Sequence, residues 1–90
     1  MASFQATIYG IVQGVGFRWF AQRRADQHGV TGYVRNGDQG DVEVVACGAR
    51  EKLEVFLEQL KEGPSAARVD KVDVEWSEEE PSFKDFSVRF

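Results

Sequence analysis

Apolar and polar residues alternate along the start of the chain. Phe4, Ala6, Ile8 and Val12 fall on one side and Gln5, Thr7, Tyr9 and Ile11 on the other. A period of two is that of a half-buried strand, so residues 4–12 predict a first strand whose second side is only partly polar. From Phe17 the spacing becomes helical: Phe17, Ala21, Ala25 and His28 share one stripe, with Phe20 and Arg24 at its margin. Gly29 fits the position just past a helix C-terminus. Val30, Tyr33 and Val34 mark a short extended run over 30–35, and residues 41–47 make another. Between them, Asn36-Gly37-Asp38-Gln39-Gly40 has hairpin chemistry, because Asn and Gly both accept positive φ, and the two runs are expected to pair antiparallel.

Leu53, Phe56, Leu57 and Leu60 stand at i, i+3, i+4 and i+7 in an amphipathic helix over 49–61, with glutamates in its first turn and no Ser, Thr, Asp or Asn to cap it. Gly63-Pro64 stops that helix, and 64–68 is expected to be a connection. Val72, Val74 and Trp76 then alternate with Asp73 and Glu75 in a fourth strand. Glu78-Glu79-Glu80-Pro81 predicts a solvated turn, and Phe86, Val88 and Phe90 alternate with Ser87 and Arg89 in a last short strand. Trp76, Phe86 and Phe90 are expected in the core. The order defines an α+β fold, a ferredoxin-like split βαβ sandwich with two helices on one face of a four- to five-stranded antiparallel sheet. Such folds serve RNA readers, metal carriers and enzymes, so function must come from particular residues.

Ninety residues with 42% apolar content supply one core, hence a single domain over 1–90. The net charge of −4 argues against nucleic acid and anionic membranes as partners, since both call for clustered positive charge. An RNA reader of this shape also needs aromatics on its central strands, and 41–47 has none. A metal carrier would need paired cysteines in the first loop. Cys47 is the only cysteine, which excludes an internal disulfide and a cysteine-based zinc site, and it is expected to be buried. His28 lies a whole helix from the first loop and is read as a helix-end residue rather than a base. No basic segment followed by an apolar run opens the chain, and no stretch is long enough to span a bilayer. A cytoplasmic monomer without metal or cofactor is expected.

One stretch carries chemistry: Gly10-Ile11-Val12-Gln13-Gly14-Val15-Gly16-Phe17-Arg18, placed between the first strand and the first helix. Glycines there let successive N–H groups turn inward around an anion, and a helix N-terminus adds unpaired N–H groups and a positive dipole end. Arg18 at the closing end offers a planar fork of donors for two phosphoryl oxygens. Taken alone, the same glycines also suit a plain tight turn. They do not match the nucleotide motifs, because no lysine follows them and Trp19 stands where a dinucleotide loop needs a further glycine.

As a whole string, Gly10-x-Val12-Gln13-Gly14-Val15-x-Phe17-Arg18 closely resembles the first signature of the acylphosphatases, small hydrolases of carboxyl-phosphate anhydrides. Gly32-Tyr33-Val34-Arg35-Asn36, followed by Gly40-x-Val42 and Gly48, resembles the second signature of that family, and Gly63-Pro64 and Ala67-Arg68-Val69 are also similar to it. The likeness covers nearly the whole chain, without departure at the positions expected to matter; Gly16 occupies a variable place. The resemblance implies hydrolysis of a small-molecule acyl phosphate to carboxylate and inorganic phosphate. It implies that Arg18 binds the phosphoryl group, that the backbone of Gln13, Gly14, Val15, Gly16, Phe17 and Arg18 wraps it, and that Asn36 holds the attacking water. On spacing alone Asn36 is equally a hairpin-turn residue. Two alternatives of another class are an interaction domain and a non-catalytic module binding phosphate or carbamoyl phosphate, since domains of this kind also occur inside larger carbamoyl-transferring maturation proteins.

Overall fold

Seven elements follow in chain order: β1 (Ala2–Ile11), α1 (Phe17–His28), β2 (Thr31–Asn36), β3 (Val42–Gly48), α2 (Arg50–Glu62), β4 (Arg68–Ser77) and β5 (Phe86–Arg89). They come from a computed structural model that describes residues 1–79 and 81–90. The strands form one sheet in the order β4-β1-β3-β2-β5. Phe4, Ala6 and Ile8 of β1 stand opposite Ala46, Val44 and Val42 of β3, and opposite Trp76, Val74 and Val72 of β4. Directly opposed residues share a face, so the period-two pattern of three strands adds up to one apolar surface.

That surface is covered by α1, which packs over β2 and β5, and by α2, which packs over β1, β3 and β4. Phe17, Ala21 and Ala25 are the buried stripe of α1, and Leu53, Phe56, Leu57 and Leu60 that of α2. Phe56 links the two sides of the core: its ring centre lies 6.2 Å from Phe4 and 5.6 Å from Phe86, and Phe4 in turn meets Trp76 edge-on at 5.2 Å. His28, in the last turn of α1, places Nε2 at 3.0 Å from Gln59 Oε1 of α2. Cys47 is buried.

The sheet is mixed rather than wholly antiparallel, because β5 runs parallel to β2, with Gly32 opposite Phe86 and Arg35 opposite Arg89. Direction follows from connectivity. β4 ends at Ser77 beside Ser3, the end of the sheet at which both β1 and β2 begin. The chain re-enters the sheet at Phe86 from that same end, so β5 must run the way β2 runs. β4 also begins at Arg68, inside the stretch expected to be a connection. A bulge between Tyr9 and Gly10 shifts the register there, with Gly10 opposite Val69 and Ile11 opposite Arg68, and so puts Val69 out of phase with Val72.

Phe86 is buried and Trp76 is half-buried against the core, as expected, but Phe90 is fully exposed. It lies past Arg89, the last paired residue. Of the turn expected over 78–81, Glu80 lies outside the described residues, and Glu78, Glu79 and Pro81 are exposed. No helix among the described residues is long and apolar enough to cross a membrane.

Candidate active site

Five residues, 12–16, carry the chain from the end of β1 to the start of α1. Val12 and Phe17 are both buried and pin the two ends of this loop to the core, while Val15 packs partly against it. Between these anchors Gly14 has φ 75° and Gly16 has φ 79°, both left-handed. A Cβ at either position would meet nothing within 4 Å, so glycine is required there by conformation and not by crowding. Gly16 is also the N-cap of α1 and offers no side-chain acceptor to the first turn. The unpaired N–H groups of that turn are therefore left to solvent or to a ligand.

The charge placed there runs against helix stability. The first turn of α1 has no acidic residue and carries Arg18 instead, a cation at the positive end of the dipole, at a cost of about 0.3–1 kcal/mol. Local rules of this kind are broken where a ligand supplies the missing charge. The Arg18 guanidinium sits 4.6 Å from the centre of the Phe90 ring, and its Nη1 donates a long 3.4 Å bond to the Arg89 carbonyl. Among the described residues no carboxylate pairs with it.

Asn36 reaches the same place from another strand. Val42 of β3 stands opposite Ile8 on one side and Asn36 on the other, so Asn36 faces the helix side of the sheet, toward the loop that follows β1. Its neighbour Arg35 points to the opposite face, where Nη2 bonds both carboxylate oxygens of Glu43 at 3.1 and 3.3 Å. The hydrogen bond to Glu43, with the carboxylate charge, raises the pKa of Arg35.

The hairpin differs from its sequence-based expectation. Among Asn36, Gly37 and Gly40 only Gly40 has positive φ, at 84°, and Asn36 stays in the strand. The turn is closed instead by Gly37 N–H donating to the Asp41 carbonyl at 2.8 Å and by Gln39 N–H donating to Asp41 Oδ1 at 3.2 Å. A buried aspartate does what the Asn-Gly pair was expected to do. The Asn36 side chain remains available, and among the described residues it makes no side-chain hydrogen bond.

Gly14, Gly16, Phe17, Arg18 and Asn36 line one open cavity of about 380 Å³. Two other loop residues expected at the site do not line it. Val15 lines a neighbouring groove with Phe20, and Gln13 turns its carboxamide away to donate to the carbonyls of Gly37 at 2.9 Å and Asp41 at 2.8 Å. The cavity also has walls that sequence reasoning missed, namely Trp19, Gln22, Val88 and Phe90. For Trp19 a signal existed, since a large aromatic beside Arg18 lies off the apolar stripe of α1; for Phe90 the strand-like alternation pointed to the core.

A ferredoxin-like scaffold that opens onto one cleft a helix N-terminus, a guanidinium with no carboxylate partner among the described residues, and an amide with no side-chain hydrogen bond among them suits the class of proteins that take a small oxyanion. The family model for acylphosphatase matches residues 4–88. A curated acylphosphatase of Thermus thermophilus is 52% identical over 79 residues, covering 88% of this chain and 90% of that one. The crystal structure of acylphosphatase from Bacillus subtilis matches with a TM-score of 0.97 and 36% identity over the whole of both chains. Full-length HypF in its phosphate- and nucleotide-bound form matches with a TM-score of 0.85 and 35% identity, over 99% of this chain and 12% of that one. The chain belongs to the acylphosphatase family.

Proposed function

We propose that acyl phosphates are cleaved in the cleft between the glycine loop and the end of β2, with Arg18 and the backbone N–H groups of 13–18 holding the phosphoryl group and Asn36 orienting the attacking water. The family gives the reaction, hydrolysis of an acyl phosphate. One observation carries the assignment of roles: Arg18 and Asn36, from different elements, line a single cavity, and neither makes a hydrogen bond or ion pair with another side chain among the described residues.

The chemistry suits so sparse a set of groups. Water oxygen attacks phosphorus in line with the departing carboxylate oxygen; that P–O bond breaks, and carboxylate and inorganic phosphate leave. The conjugate acid of the leaving group has a pKa of roughly 4, so no general acid is required. Phosphoryl transfer depends chiefly on positioning and on neutralising charge at the phosphoryl oxygens, and N–H groups with one guanidinium supply both. Asn36 does not take a proton at neutral pH; it aligns the water through its amide, and the proton passes to a phosphate oxygen or to solvent.

In this reading the enzyme is a metal-independent cytoplasmic monomer, and the net charge of −4 disfavours nucleic acid and anionic membranes as partners. A non-catalytic module for phosphate or carbamoyl phosphate has no observation of its own in its favour.

Hydrolysis of benzoyl phosphate in excess chelator tests the proposal. Turnover is expected in the wild type and not in folded Asn36→Asp, whose carboxylate keeps the local geometry but repels the phosphate. Phosphate binding without turnover by the wild type would sink the catalytic reading and leave a binding module.

A further inference from the structure

The two halves of the cleft are carried by strands that do not touch. The loop bearing Arg18 leaves β1, Asn36 ends β2, and β3 lies between them, so about two strand spacings, roughly 10 Å, separate the two backbones. Pairing through β3 sets the register of the strands, but the loop beyond Ile11 and the turn beyond Asn36 both lie outside the ladder. Gln13 spans that gap. Its Nε2 donates to the carbonyls of Gly37 at 2.9 Å and Asp41 at 2.8 Å, the same two residues joined by the backbone bond that closes the turn. Both N–H donors of the carboxamide are used, and two carbonyl partners leave only one orientation for the amide. Gly37 follows Asn36 directly, so holding its carbonyl fixes the Gly37–Asp38 peptide, one residue beyond those that flank Asn36, and with it limits where the end of β2 can move.

We propose that Gln13 is a positioning residue whose side chain locks the β2–β3 turn to the glycine loop, so that water on Asn36 lies in line with a phosphoryl group in the loop. Its role rests on those proposed above for Arg18 and Asn36. In-line attack tolerates little displacement, since misplacement by about 1 Å costs about a hundredfold in rate. The carboxamide does not face the cavity, so its loss is felt through Asn36 and not through phosphate binding.

The test is a double-mutant cycle on benzoyl phosphate hydrolysis. Gln13→Met keeps the length of the side chain and removes both donors; it is made in the wild type and in Asn36→Ala, with kcat, KM, inhibition by inorganic phosphate and Tm measured for all four proteins. The expected result is a kcat loss of about ten- to a hundredfold in the wild-type background, unchanged inhibition by phosphate, and a further loss below about threefold on Asn36→Ala. Gln13→Asn retains the carboxamide one methylene short; it should show the same loss confined to kcat and stands in should the methionine variant not fold. An unchanged kcat, equal losses in both backgrounds, or weaker phosphate inhibition in step with kcat would overturn the proposal. Asn36→Ala as active as wild type would overturn the role of Asn36 and this proposal with it, and it is recognisable because Gln13 is intact in that protein.

Discussion

Replacing Arg18 by glutamine is the perturbation whose consequences the structure bounds most closely. The guanidinium brings a full charge and two parallel donors to a phosphoryl group that bears negative charge throughout the reaction. Removing a single neutral donor from a preorganised oxyanion site costs about 3 kcal/mol, and charge-assisted bonds are about twice as strong as neutral ones. Glutamine returns one neutral amide donor, so the expected net loss is about 3 kcal/mol, or about 150-fold in kcat/KM. Stability should hardly move. Among the described residues Arg18 gives the fold a long bond to the Arg89 carbonyl and a contact with the exposed Phe90 ring. Those are worth under about 1 kcal/mol, and removing a cation from the N-terminus of α1 returns about 0.3–1 kcal/mol. The assay is hydrolysis of benzoyl phosphate beside thermal unfolding followed by circular dichroism. Arg18→Lys, with the charge but not the fork, should fall between glutamine and wild type. A kcat/KM within tenfold of wild type at unchanged Tm refutes the phosphoryl-binding role; a Tm lowered by more than about 10 °C refutes the claim that Arg18 is spare to the fold.

Two further substitutions separate the core from the turn that carries Asn36. Phe56→Ala removes a fully buried ring that touches both Phe4 and Phe86, and it should cost about 3–5 kcal/mol, read as a lower urea midpoint at unchanged m. Gly37→Ala would set a Cβ against the Asp41 carboxylate, displacing the acceptor of Gln39 N–H and shifting the turn. Its kcat should fall about tenfold or more with a smaller change in Tm, and adding Asp41→Ala should restore part of that activity.

The local pattern of the chain made five strands and two helices legible because each buries one face, and a buried face leaves its period in the sequence. The glycine loop was legible for a different reason. Left-handed φ at Gly14 and Gly16 can be met cheaply only by glycine, so the backbone requirement is written in residue type. What escaped were relations between distant segments. The direction of β5 depends on where β4 ends in space; the start of β4 is masked by a bulge that breaks alternation; and Phe90 follows a strand pattern past the point at which the sheet stops. The turn after Asn36 was assigned to the Asn-Gly pair, whereas the buried Asp41 closes it from five residues further on. No local propensity of Gln13 announces that its amide reaches a hairpin 24 residues away.

The same topology explains why two groups so far apart in sequence share a cleft. A split βαβ unit makes β1 and β2 run in one direction with β3 inserted between them in the other, so the C-terminal ends of β1 and β2 emerge at the same edge of the sheet. The loop after β1 and the last residue of β2 are therefore neighbours wherever this fold forms, and α1 returns across β2 with its N-terminus at that edge. The scaffold delivers the pair to within reach, but a ladder two strands wide does not hold a loop and a turn to the fraction of an ångström that in-line attack demands. That last adjustment falls to side chains outside the ladder. The core residues of this chain can accordingly change with modest effect on rate as long as the sheet persists, while Gln13 and Asp41, which add little to the core, should weigh more on turnover than on stability.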